Sequence, residues 1–231
     1  MKNLFSGIYE NKTVLVTGHT GFKGSAVGKI PVGWELKKLG ELSDFITSGS
    51  RGWAQYYSNE GALFLRIGNL TREHINFRLE DVVYVTPPNT AEGKRTLIHN
   101  GDILISITAN LGVIGIANSS LGEAYVNQHI SLVRIKNKTD YLPRWIGHYL
   151  SNKNSQRQFI ANNDSGAKAG LNLTSIRETY VAIPSVDEQH RTVKILDSID
   201  KVIRRKQTKL TQTKNLKKSL MADLLTGRVR V

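Results

Sequence analysis

Ile183-Pro184-Ser185-Val186-Asp187-Glu188-Gln189 opens a run that contains neither glycine nor proline until Gly227. Ser185 and Glu188 have the spacing of a capping box, in which a hydroxyl and a carboxylate satisfy the first free amides of a helix. The run therefore predicts one helix of about 40 residues, roughly 60 Å long at 1.5 Å per residue. Along it Leu196, Ile199, Ile203, Leu210, Thr213, Leu220 and Leu224 follow an a/d seam, although Lys206 and Lys217 stand where apolar residues are expected. Such a helix is longer than the domain in front of it. Part of the seam must reach another helix.

Upstream, residues 30–184 read as a mixed domain of short strands and glycine-bearing loops. Segments 63–67, 82–85, 102–107, 113–117, 131–135 and 180–183 are rich in β-branched or aromatic residues and predict strands. Leu142, Trp145, Ile146, Tyr149 and Leu150 fall on one face at helical spacing, a stripe expected to pack in the core. The expected class is α/β of the α+β kind, a mixed globular domain followed by one long C-terminal coiled-coil helix. The expected division is an extension over 1–29, the globular domain over 30–184 and the helix over 185–231.

The 231 residues carry 32 Lys and Arg against 19 Asp and Glu, a formal net charge of +13. An excess of that size attracts polyanions, above all nucleic acid or an anionic membrane face. No apolar run reaches the roughly 18 residues needed to span a bilayer, and the first residues lack the pattern of a secretory signal, so a cytoplasmic protein is expected. With no cysteine, disulfides, thiolate zinc sites and cysteine nucleophiles are excluded together. The six histidines show no paired spacing around a glutamate, and no metal is expected.

Residues 12–25 form an apolar stretch running into Gly18, Gly21 and Gly24. They resemble the opening of nucleotide-sugar dehydratases, where a glycine-rich turn seats a dinucleotide pyrophosphate on a helix N-terminus. A working site would next need a helix, a second parallel strand and an acidic residue about 20 positions on. Ile30-Pro31-Val32-Gly33-Trp34 breaks any such helix at once. The segment reads as a remnant docked on the main domain, with a fragment of an NAD-dependent dehydratase as an alternative and a structural coiled-coil protein as another.

The same Ile30-Pro31-Val32-Gly33-Trp34, with Thr47-Ser48-Gly49-Ser50-Arg51-Gly52-Trp53, resembles the start of a target-recognition domain in specificity subunits of type I restriction-modification systems. Val126-Asn127-Gln128-His129-Ile130 is similar to a segment of that domain, and Ile183-Pro184-Ser185 with Glu188-Gln189 to its junction with a conserved helix. The ending from Asp223 to Val231 is the most specific match. The resemblance covers about residues 30–231 and implies a non-catalytic subunit that reads duplex DNA and holds methyltransferase subunits. Those subunits use S-adenosylmethionine to methylate adenine, and a restriction subunit joins the complex, so no cofactor is expected in this chain itself. The usual member has two recognition domains and two antiparallel helices, whereas this chain has one of each; a symmetric homodimer would rebuild the arrangement.

Base reading needs side chains that make two hydrogen bonds to a base edge, chiefly Arg or Lys to guanine and Asn or Gln to adenine. Residues 47–57 supply Ser48, Ser50, Arg51, Gln55, Tyr56 and Tyr57 beside small residues that let a backbone approach closely. A solvated hairpin is the alternative reading of this segment, with Trp53, Tyr56 and Tyr57 packed beneath it. A second polar loop, 162–172, offers Ser165 and Lys168, and Ser106, Thr108 and Asn110 stand where the chain turns after 102–107. Asn127, Gln128 and His129 suit either DNA contact or internal bonding that fixes neighbouring loops. Phosphate contacts are expected from Arg66, Arg72, Lys94 and Arg95.

Two catalytic readings fail on the residues. Asp81 with Glu92-Gly93-Lys94 mimics the carboxylates and lysine of a magnesium-dependent nuclease, but Pro87 and Pro88 interrupt the segment and Glu92 is expected in a loop. Thr86-Pro87-Pro88-Asn89 lacks both the leading Asp or Asn and the closing aromatic of an adenine-methyltransferase motif.

Overall fold

Ile103, Leu104 and Ile105 are three consecutive apolar residues, and all three are fully buried. A strand can bury both faces only between two layers. The computed structural model, which describes residues 3–9, 12–162 and 170–230 (3–9 and 12–17 as backbone alone), shows what those layers are. In chain order the elements are β1 (Asn3–Tyr9), β2 (Lys12–Thr17), β3 (Phe22–Ser25), β4 (Gly28–Pro31), β5 (Glu35–Lys38), α1 (Leu39–Leu42) and β6 (Ser43–Ser48). There follow β7 (Tyr57–Ser58), β8 (Ala62–Leu65), β9 (Val83–Val85), α2 (Ala91–Thr96), β10 (Ile103–Ser106), β11 (Ile114–Ile116), β12 (Ala124–Val126) and β13 (Ile130–Ile135). The chain ends with α3 (Pro143–Ser151), α4 (Lys153–Ala161), α5 (Leu173–Glu178), β14 (Tyr180–Ile183) and α6 (Val186–Leu225).

Four antiparallel strands in the order β11-β10-β13-β6 make a central sheet. Ile103, Ile105, Val133 and Ile135 point from one face into a core shared with Trp145, Ile146 and Leu150 of α3, Ile176 of α5 and Val193 of α6. Leu104, Ile130 and Leu132 point from the other face onto Leu65, Ala124 and Val126 of a second sheet, ordered β12-β8-β9-β7. Beyond that sheet, Trp53, Phe64, Val85 and Tyr125 form a third, aromatic cluster. The layers are thus helices, central sheet, second sheet and an aromatic cap. Alternation along β10 and β13 assigns each residue its side.

All six predicted strands are present with small shifts at their ends: residues 66 and 67 leave β8 for a 3₁₀ turn over Ile67–Asn69, β13 starts one residue earlier than expected, and β14 matches. The α3 stripe packs as expected, and the Trp145 indole also donates to the Ala182 carbonyl at 3.1 Å. The N-terminal segment departs from a dinucleotide site. β1 and β2 are an antiparallel hairpin, and the glycines lead into a second hairpin, β3–β4, where a helix would be required. β4 also straddles residues 29 and 30, and Ile30 is buried.

The long helix spans 40 residues, and Ser185 caps it by accepting from the Glu188 amide. The reciprocal half of the expected capping box is replaced. The Glu188 carboxylate turns instead to the Trp34 indole N–H at 3.2 Å and to His19 at 3.1 Å. Gln189, wholly buried, accepts from the Leu142 amide and donates to the Asp140 and Pro184 carbonyls, fastening the helix to the start of α3. Farther along, Arg144 donates to both oxygens of Asp197, and His148 lies 3.2 Å from the same carboxylate. Burial alone would raise the Asp197 pKa, but bonds from His148 and Arg144, with the charge of Arg144, outweigh it and hold the carboxyl at about 2. Among the described residues no helix is long and apolar enough to cross a membrane.

Candidate nucleic-acid interface

Ser48 at the end of β6 pairs with Ser131, and Ile130 at the start of β13 pairs with Ser106 at the end of β10. The loops that leave these residues therefore emerge together at one end of the central sheet. One is the 49–52 loop, one is 107–112, and the third is the turn Asn127-Gln128-His129, which carries the chain from the second sheet to the central one. Thr108 bridges to Gly170, so the chain at residue 170 also reaches this end. Ser165 and Lys168 lie outside the described residues.

Each loop is fixed from beneath. The Arg95 guanidinium, projected from α2, donates to the Thr47 hydroxyl, to the Ser48 carbonyl at 2.5 Å and to the Ser50 hydroxyl at 2.6 Å. At Gly49 the backbone runs so close to Val126 and Asn127 that a Cβ would collide with their backbone atoms, which is why glycine stands there. Arg72 grips the 107–112 loop by donating to Asn110 Oδ1 and the Leu111 carbonyl, and to Gln156 of α4. Ser106 accepts from the Val113 amide and donates to the Asn110 carbonyl. At the tip Ala109 has φ of 53°, a left-handed conformation that costs a non-glycine residue on the order of 1 kcal/mol and persists only where neighbours impose it.

The turn resolves the two readings of Asn127, Gln128 and His129 in part. Asn127 is buried, its amide donates to the Leu65 carbonyl and its Oδ1 accepts from the His129 amide, so it is a structural residue. Gln128 Nε2 lies 3.1 Å from His129 Nε2, and His129 Nδ1 lies 2.9 Å from the Thr108 hydroxyl. That chain ties the turn to the neighbouring loop while leaving both side chains half-exposed.

Other predicted positions move. Trp53 is 2% exposed, stacks on Phe64 at 5.1 Å and donates its indole N–H to Glu92, so it is a core residue and leaves the contact surface. Tyr56 is half-buried against Trp53, whereas Tyr57 is 49% exposed and Gln55 is exposed. Arg95 is a buttress of the loop, not a free phosphate contact. Arg72 is exposed but engaged in holding Asn110, and Arg66, next to the turn, pairs with Asp81 at 3.1 Å. Lys94 lies in a depression with Asp44, Phe45 and Arg134. Phe45 is three residues before Ser48, roughly 10 Å back along β6 at 3.4 Å per residue, which places Lys94 on the flank. Arg51 is exposed at the loop tip, and among the described residues no hydrogen bond or ion pair engages its guanidinium.

The nuclease-like residues are committed elsewhere as well. Asp81 is held by Arg66, and Glu92 lies in α2, not in a loop, accepting from Trp53 at 2.6 Å. Two groups were not singled out from the sequence. Asp102, fully buried, receives both Nε and Nη2 of Arg134 at 2.9 and 2.7 Å, together with the His99 amide. Ligand atoms of His148, Asp197 and Asp200 fall within 4.8 Å of one another, but the Arg144 charge already neutralises Asp197 and opposes a cation there.

A family profile described as the type I restriction modification DNA specificity domain matches residues 31–215. The chain belongs to that family. It is 28% identical over 239 residues to the putative type I restriction enzyme MjaX specificity subunit of Methanocaldococcus jannaschii, and 27% identical over 246 residues to the MjaVIII specificity subunit of the same organism. Each alignment takes in all of this chain and 50% and 53% of the relative, so the chain spans about half the length of the curated relatives it matches. The HsdS subunit from Thermoanaerobacter tengcongensis has the same fold, with a TM-score of 0.53 at 20% identity over 87% of this chain and 47% of that one. The long α6 and the α+β domain before it are the architecture of this specificity-domain family.

Proposed function

We propose that this specificity-domain chain reads DNA sequence for a type I restriction-modification complex and carries out no chemistry itself. The observation that carries the reading is the buttressed end of the central sheet. Three loops converge there, Arg95 and Arg72 hold two of them, and Arg51 is exposed on the 49–52 loop with no hydrogen bond or ion pair among the described residues. A guanidinium held on a fixed loop can discriminate guanine through two hydrogen bonds, whereas a mobile one supplies only charge. The net charge of +13 supports a polyanionic partner, and the names of its relatives, specificity subunits of type I restriction enzymes, support this assignment.

On this reading adenine methylation belongs to a methyltransferase partner that binds S-adenosylmethionine, and cleavage to a restriction subunit reached through the complex. The chain needs no cofactor or metal, works in the cytoplasm, and pairs with a second copy through α6. Arg51→Ala should lose about 1–3 kcal/mol on a cognate duplex and relax preference at one base position, while Lys94→Ala, on the flank, should weaken all duplexes slightly and equally. Titration of both variants against cognate and scrambled duplex checks this. Equal losses for Arg51→Ala on the two duplexes would remove it from base reading.

A further inference from the structure

Between Asp200 and Asp223, helix α6 carries eight lysines and arginines and no acid. Every residue of that stretch is exposed, and among the described residues no ion pair engages any of the eight. Lys201, Arg204, Arg205 and Lys209 line one open groove with Thr208 and Gln212. At 100° per residue this groove lies on the flank of the helix between two other faces. Gln189, Val193, Asp197 and Gln207 mark the face turned to the domain, and Ile199, Val202, Ile203 and Leu210 mark the apolar face turned away.

The groove also continues the recognition end. Gln207 donates to Glu73 at 3.3 Å, and the adjacent Arg72 holds Asn110 and Leu111 in the recognition loop. The basic stretch thus passes, at Gln207, beside the residue that follows the loop's anchor Arg72. Residues 201–218 extend roughly 27 Å at 1.5 Å per residue. That length matches about eight base pairs of duplex, whose backbone carries one charge per about 1.7 Å of axis.

We propose that this flank of α6 binds the sugar-phosphate backbone of the base pairs adjoining the read site, so that the helix is a second, sequence-blind DNA contact. The inference rests on the DNA reading proposed above. An apolar partner helix would occupy the seam and leave this flank free. Arg204 also borders a depression with Glu73 and Glu80, but cations at this density, none in an ion pair among the described residues, favour a polyanion over a mixed-charge protein surface.

The test compares wild type, Arg51→Ala and the combined change Lys201→Gln, Arg204→Gln, Arg205→Gln and Lys209→Gln on a 40-base-pair duplex of mixed sequence across a series of salt concentrations. Glutamine is a good helix former, and circular dichroism checks that helicity is retained. Each phosphate contact contributes a slope of about −0.9 in log affinity against log salt, so the combined variant should flatten the slope by about 2 to 4. Arg205→Gln and Lys209→Gln alone should each flatten it by up to about 0.9, which keeps the test valid if the combined variant loses helix. A steep wild-type slope left unchanged in these variants would overturn the inference and assign the flank to an acidic protein surface, with base reading intact. A wild type that does not bind the duplex at all would defeat both.

Discussion

Arg95 and Arg134 show how little a basic residue's number says about its task. Arg95 reads in the sequence as a phosphate contact, yet α2 directs its guanidinium beneath 47–50, where it holds the very loop that presents Arg51. Arg134 alternates inward-outward on β13 and crosses to Asp102, whose carboxylate has no exposed surface. Removing one partner of a buried pair leaves an uncompensated charge and costs about 3–5 kcal/mol. Arg134→Met should therefore lower the unfolding free energy, measured by urea denaturation, by about that amount without altering base preference in the folded fraction. A change under about 1 kcal/mol would show that solvent reaches Asp102 and that the pair does not fasten the β10 turn. Neither guanidinium role is visible in sequence, because each depends on residues 32 to 48 positions away.

At the scale of elements, what could be read in the sequence depended on burial. β8, β10, β11, β13 and β14 are short apolar runs lodged in the core and stand out by composition alone. β5, with Glu35 and two lysines, and β6, with Asp44 and three hydroxyl residues, lack that signature because they are less covered: no residue of β5 is buried, and in β6 only Ile46 and Thr47 are. The long helix was legible from its unbroken pattern. Its capping box was only half so, since Trp34, 154 residues away, competes for Glu188.

The same helix carries a further consequence. Ile199, Ile203, Leu210, Leu220 and Leu224 are 39–55% exposed, and Leu196 is partly covered; from 201 onward almost no side chain is shielded. A seam facing away from its own domain loses about 1.5–3 kcal/mol for each Leu or Ile it fails to bury. A second copy packed antiparallel would cover it and would offset Lys206 and Lys217, which face their own kind in a parallel register. Sedimentation at micromolar concentration should give a dimer for wild type and a monomer for Ile203→Asp with Leu210→Asp. A monomeric wild type, or a double variant that still dimerises, would reserve the seam for the methyltransferase.

For the whole molecule, the four layers serve to bring loops from distant parts of the chain to one end. Residues 48, 108 and 128 meet there only because β6, β10 and β13 are neighbours in the central sheet, an order that runs against the sequence. Composition points to a polyanionic partner, and the family resemblance points to the loops, but neither discloses that Trp53 is core or that Arg51 has no partner among the described residues. The central property proposed for this end is recognition of bases. Selection of a fully randomised duplex pool by the purified chain, followed by sequencing of the bound fraction, measures it directly. Enrichment of one short motif is expected, with Arg51→Ala losing a single position of it; a bound fraction as random as the input, at salt concentrations where the chain still binds, would rule out base recognition.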